Sequence, residues 1–481
     1  MKRKPGLIIA SLIVANFMAQ LMQTMLNTAL PQMMQDLGIS ANRAQWLITV
    51  YLLVTGITIP VTGFLIRSYT TRTLFFVSVG AFTTGTLIAG FSSDFTFILA
   101  GRAIQGVGTG LLVPLFMNTM ILVFPKEKIG TAMGLGSLIV GLAPALGPTI
   151  SGLVIQHHSW RFLFYGVAPI TIANLVVAYF CLKNVGEIEK AKLDRRSILY
   201  STLGFGGLLY GFSIVGEQGV SARLSWSIIA VGLIMVFLFV KRQFKLAVPL
   251  LDFNVFRYPR FTYPSIIGVI LYIVMAGAEL LLPIYAQNVR GLMPRESGLL
   301  LFPGALLMGL FGWLSGKVYD RFGLRLLIRI GFFFIVAITL LLTITLTAQM
   351  SYSLLVVIYA LLMAGMGFML TPVTAFAVAS LPSPISTYAP PMTTAIRFLG
   401  MSMGGALLIT LMTFTADASL VAFPVNMLEG IHAAFWALTA IAAVGFLLTF
   451  FIPFVSVQQQ VMESRQAPYE RRSSSLSNHD H

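Results

Sequence analysis

GTAMGLGSLIVGLAPALGPTISGLVI, residues 130–155, is long enough to cross a bilayer and carries no charge, yet it holds two prolines and six glycines. Pro144 and Pro148 each remove a backbone donor and push a helix off its axis. Gly130, Gly134, Gly136, Gly141, Gly147 and Gly152 strip away side chains, so that another helix can approach the backbone closely. A span needed only for anchoring would be built of Leu and Val at less conformational cost. The plain alternative is a tightly packed structural span. The stronger reading is a bent helix at a moving seam between two bundles.

Composition sets the class around this stretch. Hydrophobic residues make up 57% of the 481 and charged residues 10%, with a mean hydropathy of +0.87. A soluble domain carries roughly 25% charged residues, so the chain reads as an integral membrane protein. The single cysteine, Cys181, excludes an internal disulfide framework and a cysteine-based metal site.

Residues 1–5, MKRKP, precede an apolar run too long for a signal-peptide core, which is therefore retained as the first span. Apolar segments then recur near 7–30, 44–66, 74–92, 95–121, 130–155, 162–182 and 198–216. They continue near 225–241, 262–288, 297–316, 326–347, 352–379, 391–416 and 430–454, giving fourteen spans. With the N-terminus inside, nearly every other Lys and Arg falls in an inner segment. The outer side holds only Arg43, Arg161, Arg223, Arg290 and Arg295, while Arg102 and Arg397 lie within spans. That asymmetry is the positive-inside rule, and it places both termini in the cytoplasm of a cell (plasma) membrane protein. The basic excess of 31 Lys and Arg over 16 Asp and Glu is thus topology, not nucleic-acid binding.

An internal repeat divides the chain. NTALP at Asn27–Pro31 is answered by ELLLP at Glu279–Pro283, an offset of 252 residues, and GFLIRSYTTR at 63–72 by GKVYDRFGLR at 316–325, an offset of 253. Spans 1–6 and 9–14 then correspond. The expected organisation is an all-α membrane fold: a six-helix bundle at 1–182, a basic linker with two inserted helices at 183–261, a second six-helix bundle at 262–454 and a disordered polar tail at 455–481.

GKVYDRFGLR resembles the loop between the second and third helices of each half in the major facilitator superfamily. LAGRAIQGVGTG, residues 99–110, resembles that superfamily's fourth-helix motif, and GLAPALGPTISG, residues 141–152, its fifth-helix antiporter motif. With LNTALP, QWLITVYLL and WRFLF, the chain to about residue 455 looks like the fourteen-helix drug:proton antiporter family of the EmrB/QacA type. The resemblance implies a cytoplasmic gating loop of Gly316, Asp320, Arg321, Gly323 and Arg325, and an antiporter motif of Gly141, Pro144, Gly147, Pro148 and Gly152. It also implies a part for Arg102 in proton coupling. Two positions depart from the pattern. Arg67 stands where the superfamily has an acid, and Met22 where the family's first helix often has an aspartate.

The residues themselves add a polar face and an acid. Asn16, Gln20, Gln23 and Asn27 are spaced 4, 3 and 4 apart and share one side of a helix. Amides are costly against lipid, so this face lines a polar cavity or hydrogen-bonds to another helix. Met18, Met22 and Met25 follow the same spacing and suit a surface accepting varied apolar shapes, or serve as core filler. Glu279 is the one acid well inside a span, a functional candidate that can take up and release a proton in each cycle. Arg397 is read as snorkelling to the inner interface.

No nucleotide-binding loop, nucleophile elbow or paired His/carboxylate cluster occurs. The expectation is therefore a non-enzymatic carrier without cofactor, driven by the proton gradient. It would export lipophilic, cationic or zwitterionic small molecules as a monomer, with Glu279 and Arg102 in coupling and Asn16, Gln20, Gln23, Asn27 and Met22 in the substrate cavity. The alternatives are export of an endogenous lipid or metabolite by the same machinery, a membrane-embedded lipid-modifying enzyme, and a non-transporting sensor.

Overall fold

The computed structural model describes residues 5–451 apart from 40, 126–127, 186–193, 216–219, 323, 383–384 and 419–424. The tail at 455–481 and Gly323 lie outside the described residues, as do the side chains of Asn27, Pro144, Pro148, Asp320 and Arg325 and the surroundings of Gly141.

Among the described residues the chain forms fourteen α-helices. The first six are α1 (Pro5–Leu37), α2 (Ala41–Ser68), α3 (Thr71–Phe91), α4 (Phe95–Val123), α5 (Ile129–Ile155) and α6 (Arg161–Cys181). Then come α7 (Arg195–Ser213) and α8 (Ala222–Gln243), followed by α9 (Pro259–Ile284) and α10 (Pro294–Phe322). The chain continues with α11 (Leu324–Thr345), α12 (Tyr352–Ala379), α13 (Ala389–Ala418) and α14 (Val425–Leu448). Among the described residues twelve stretches are long and apolar enough to cross a membrane. Short polar residues start several helices: Asp94 caps α4, Asp194 caps α7, and Ser351 caps α12, each accepting from a backbone N–H of the first turn.

Helices α1–α6 pack among themselves, and so do α9–α14. Within lipid the hydrophobic effect does not drive helices together, so close approach must be written into the residues. Helix α4 shows how. A Cβ on Gly101 would stand 2.7 Å from the Gly85 carbonyl of α3, and one on Gly108 2.5 Å from the Ser78 carbonyl. On another face, Gly106 and Gly110 put α4 equally close to the Tyr51 and Thr55 carbonyls of α2. The glycines of LAGRAIQGVGTG thus serve two crossings at once. Trp160 closes the other end of this set, donating from its indole to Asp36 at 3.0 Å and from its backbone to Gln32 at 3.0 Å.

The two sets meet where α5 packs on α10 and α12, and α13 on α2 and α4. Helices α7 and α8 pair and lean on α2 and α13 through α7. Outward faces are apolar: Val176, Val177 and Phe180 on α6, Leu233, Ile234 and Phe237 on α8, and Ile330, Phe333 and Ile344 on α11 are exposed. Such faces are sites for acyl chains, not water.

Arg67, Arg72, Lys317 and Arg321 define a basic end of the molecule. There the Gly134 backbone of α5 approaches α10 so that a Cβ would lie 3.1 Å from the Trp313 carbonyl. Gly147 behaves differently. Its Cβ position runs into Thr24 Oγ1 and lies 3.1 Å from the Met25 amide of α1. Gly147 therefore serves a crossing inside the first set of helices, and Gly134 carries the contact to the second. Gly152 has open space around it. The reading of the whole 130–155 stretch as a seam between bundles holds for its Gly134 end and not for Gly147, because opposite faces of α5 meet different neighbours.

Candidate functional site

A partly open cavity lies where the two sets meet. Its polar lining comes from Asn16 and Gln20 of α1, Tyr272 of α9, Thr371 and Thr374 of α12, and Arg397 of α13. Val113, Phe116 and Met117 of α4, Met308 of α10 and Leu370 of α12 complete an otherwise apolar wall. A smaller pocket towards the basic end shares Tyr272 and Thr374 and reaches Pro264 and Ser265.

The amide face of α1 only partly reaches this cavity. Asn16 and Gln20 line it, and Asn16 steadies itself by donating to the Leu12 carbonyl at 2.9 Å. Gln23 is half-buried and outside the lining. Met22 is wholly buried in the packed core and does not face the cavity. Met22 stands two residues, about 200°, round the helix from Gln20, so it lies on the face of α1 opposite the amides and packs as filler there.

Arg397 departs further from expectation. It does not reach the interface but lines the cavity, and its Nε is shut off from solvent without a hydrogen-bond partner. Tyr272 is its electrostatic neighbour, and its guanidinium lies 5.1 Å from the Phe398 ring centre. Among the described residues it is the one charged side chain in the lining. The sequence carried a hint of this: nine residues into a helix that begins at Ala389, an arginine is too deep to reach water along its own stem.

Arg102 sits elsewhere, in α4, wholly buried. Its Nε donates to the Leu47 carbonyl at 3.0 Å, its Nη1 to Gln105 Oε1 at 2.8 Å, and its plane lies 4.2 Å from the Tyr51 ring centre. Gln105 passes the network on to Thr86 at 2.7 Å, and the Tyr51 hydroxyl reaches Thr109 at 2.7 Å and the Ala19 carbonyl at 2.9 Å. Its other terminal nitrogen, Nη2, has no partner. Charged groups inside a membrane protein normally pair. Arg102 instead rests on a carbonyl, an amide and an aromatic face. Tyr51 was missed in the sequence reading, although QWLITVYLL and LAGRAIQGVGTG each stood out; the structure stacks one on the other.

Glu279 lies half-buried on α9, outside the lining of the cavity. Its electrostatic neighbour is Tyr359 of α12, wholly buried. Among the described residues no basic side chain pairs with it. In the gating loop, Gly316 is buried in α10 and Arg321 lies 5.4 Å from the Phe322 ring centre.

Two packed sets of helices, apolar outward faces and a polar and apolar cavity at their junction define a polytopic membrane protein of the carrier type. Comparison with known proteins gives the same class. The chain belongs to the Major Facilitator Superfamily, whose family model matches residues 12–389. It is 40% identical over 446 residues to the uncharacterized MFS-type transporter YcnB of Bacillus subtilis, covering 92% of this chain and 94% of that one. It is 36% identical over 460 residues to the lincomycin resistance protein LmrB of Listeria monocytogenes, covering 94% and 97%. The crystal structure of the human organic anion transporter MFSD10 shares the fold, with a TM-score of 0.63 at 15% identity, covering 93% of this chain and all of that one. The chain is thus a multi-pass, non-enzymatic transporter of the Major Facilitator Superfamily.

Proposed function

We propose that the protein exports lipophilic small molecules, antibiotics among them, across the cell membrane in exchange for protons. On this reading it is a fourteen-span drug:proton antiporter that works as a monomer with both termini in the cytoplasm. The observation that carries the reading is the largely apolar cavity between the two sets of helices, in a chain closely similar to lincomycin resistance proteins. The basic end is then the cytoplasmic end, as the positive-inside rule requires. No cofactor is needed. Each charge moved down 100 mV supplies about 2.3 kcal/mol, more than a tenfold accumulation. Glu279 is the proton carrier and Arg102 a group that stabilises one packing of α2 and α4.

Of the cationic or zwitterionic substrates expected, the lining favours the zwitterionic, since among the described residues it offers an arginine and no carboxylate. Export of an endogenous metabolite by the same machinery differs only in the occupant. The test is uptake of a zwitterionic lipophilic antibiotic, a fluoroquinolone bearing both a carboxylate and an amine, into inverted vesicles under an imposed pH gradient, acid inside. Uptake that requires both the protein and the gradient supports the reading; uptake indifferent to the gradient defeats the coupling.

A further inference from the structure

We propose that Arg397 is the recognition point for an anionic group, so that the substrates of this cavity are amphipathic molecules carrying a carboxylate, sulfonate or phosphate. The inference rests on the cavity being the substrate site, as proposed above, but not on proton coupling. A guanidinium presents five N–H donors in a fixed plane. Taking it out of water without acceptors is costly, and that cost falls when a matching anion arrives. Here Nε is closed to solvent and has no acceptor. Among the described residues the lining offers Arg397 no carboxylate; its electrostatic neighbour is the neutral Tyr272, whose hydroxyl is hydrogen-bonded to Thr374.

The surrounding surface fixes the rest of the ligand. Phe116, Met117, Met308 and Leu370 make an apolar wall, and Asn16 and Gln20 of α1 face in from the other set of helices. An anion held bidentately by Arg397 would leave its apolar body against α4 and α10, touching both sets at once. A ligand with only a cationic group meets a like charge in a confined space and no partner for it. The anion is thus selected by Arg397 and the body by shape and apolar contact, the division of labour usual in small-molecule sites.

The experiment uses the purified full-length protein and one aromatic body in two charge states: 5-dimethylaminonaphthalene-1-sulfonate, and dansylamide, its neutral sulfonamide. Wild type is expected to bind the sulfonate roughly tenfold or more tightly than the amide, the advantage of a charge-assisted pair. Arg397→Gln should bring the two affinities together by weakening the sulfonate alone. Arg397→Lys, which keeps the charge and loses the fork, should restore part of the preference. Retained amide binding shows that each variant is folded. Displacement of the sulfonate by dihexanoyl phosphatidylglycerol would extend the site to lipid anions, and failure to displace it would confine it to soluble ones; both keep the assignment. No sulfonate preference in wild type, or a preference unchanged by Arg397→Gln, overturns it. Transport under a pH gradient is measured separately, so loss of gradient dependence would sink the antiport reading while leaving anion recognition standing.

Discussion

Arg67, near the end of α2, stacks over the ring of Tyr388, with 4.5 Å from its guanidinium carbon to the ring centre, and donates to the tyrosine hydroxyl. Tyr388 immediately precedes α13, so the contact ties one set of helices to the other at the basic end. Nearby, a Cβ on Gly63 of α2 would lie 3.2 Å from the ring of Pro391. The superfamily pattern calls for an acid where Arg67 stands. The aromatic partner gives a cation a footing there: a ring face and a hydroxyl are among its contacts.

Loss of this contact should loosen the basic end. A cation–π pair is worth about 0.5–2 kcal/mol, enough to change a two-state population several-fold. In a Cys181→Ser background with a cysteine at Thr374, Tyr388→Ala and Arg67→Ala should both speed alkylation from the basic side by roughly threefold or more. Tyr388→Phe keeps the ring and should fall between. Equal rates in all four proteins would mean the pair does not hold the end closed.

Glycines of one helix should fail in different ways. Gly147→Leu drives a side chain into Thr24 and the α1 backbone, so it should lower expression and melting temperature. Gly134→Leu meets Trp313 across the junction. It should leave the melting temperature within a few degrees while slowing transport and speeding alkylation at position 374. Fluorescence size-exclusion thermostability separates the two; a stable Gly147→Leu protein would contradict the α1–α5 crossing.

The fold was legible because its signals are long and repeated. Apolar runs, inner-loop Lys and Arg and the 252–253 residue offset agree with one another, and the ends of the helices differ from expectation by a few residues. Site residues were less legible because helical spacing tells which residues share a face, not what that face meets. Asn16 and Gln20 reach the cavity and Gln23, on the same face, does not, while Met22 belongs to the methionine stripe on the opposite face of α1 and packs into the core. Arg397 looked like an interface residue, since sequence places a side chain along the helix axis but not around it. Tyr51 was invisible as a partner of Arg102 because the two are 51 positions apart and meet only through the glycine-lined approach of α4 to α2.

Asp194 gives a pH-dependent contact outside the spans. Its carboxylate is gripped by Arg242, with Nε to Oδ2 at 3.0 Å and Nη2 to Oδ1 at 3.0 Å, and it accepts from the Ser197 amide at 3.1 Å and the Ser197 hydroxyl at 2.6 Å. The Arg242 hydrogen bonds, more than the Ser197 contacts, pull its pKa down to about 2. A depressed folded pKa means that the contribution is complete above the unfolded value of about 3.9 and is lost as pH falls towards 2. Asp194→Ala removes the α7 cap, a loss of about 1 kcal/mol. The melting-temperature gap between wild type and Asp194→Ala should therefore be constant from pH 7 to 5 and shrink below about pH 4. A gap independent of pH would show that the carboxylate's charge contributes nothing.

Glu279 is the last and most consequential residue. It stands on α9 beside Tyr359 of α12, and α10 comes so close that a Cβ on Gly304 would run into the Tyr359 ring. Helices α9 and α12 thus meet at one carboxylate for which no described basic residue provides a counter-charge, with α10 packed against Tyr359. A carboxylate so placed changes its interactions with its surroundings when it gains a proton, and that difference can favour one arrangement of α9, α10 and α12 over another. Since Glu279 is outside the cavity lining, substrate and proton need not compete for it; they are linked through helix packing, with Tyr272 of the same α9 lining the cavity two turns away. Glu279→Gln keeps the size and fixes the neutral state. It should bind the dansyl sulfonate as wild type does, yet fail to accumulate substrate in proteoliposomes when only a pH gradient is imposed. Glu279→Asp should retain part of the activity, because the carboxylate survives at a shorter reach. Tyr359→Phe should alter the pH dependence of transport without abolishing it, since it removes the hydroxyl beside the acid and keeps the packing against Gly304. Uphill transport by purified Glu279→Gln under a pH gradient alone would remove Glu279 from the coupling mechanism.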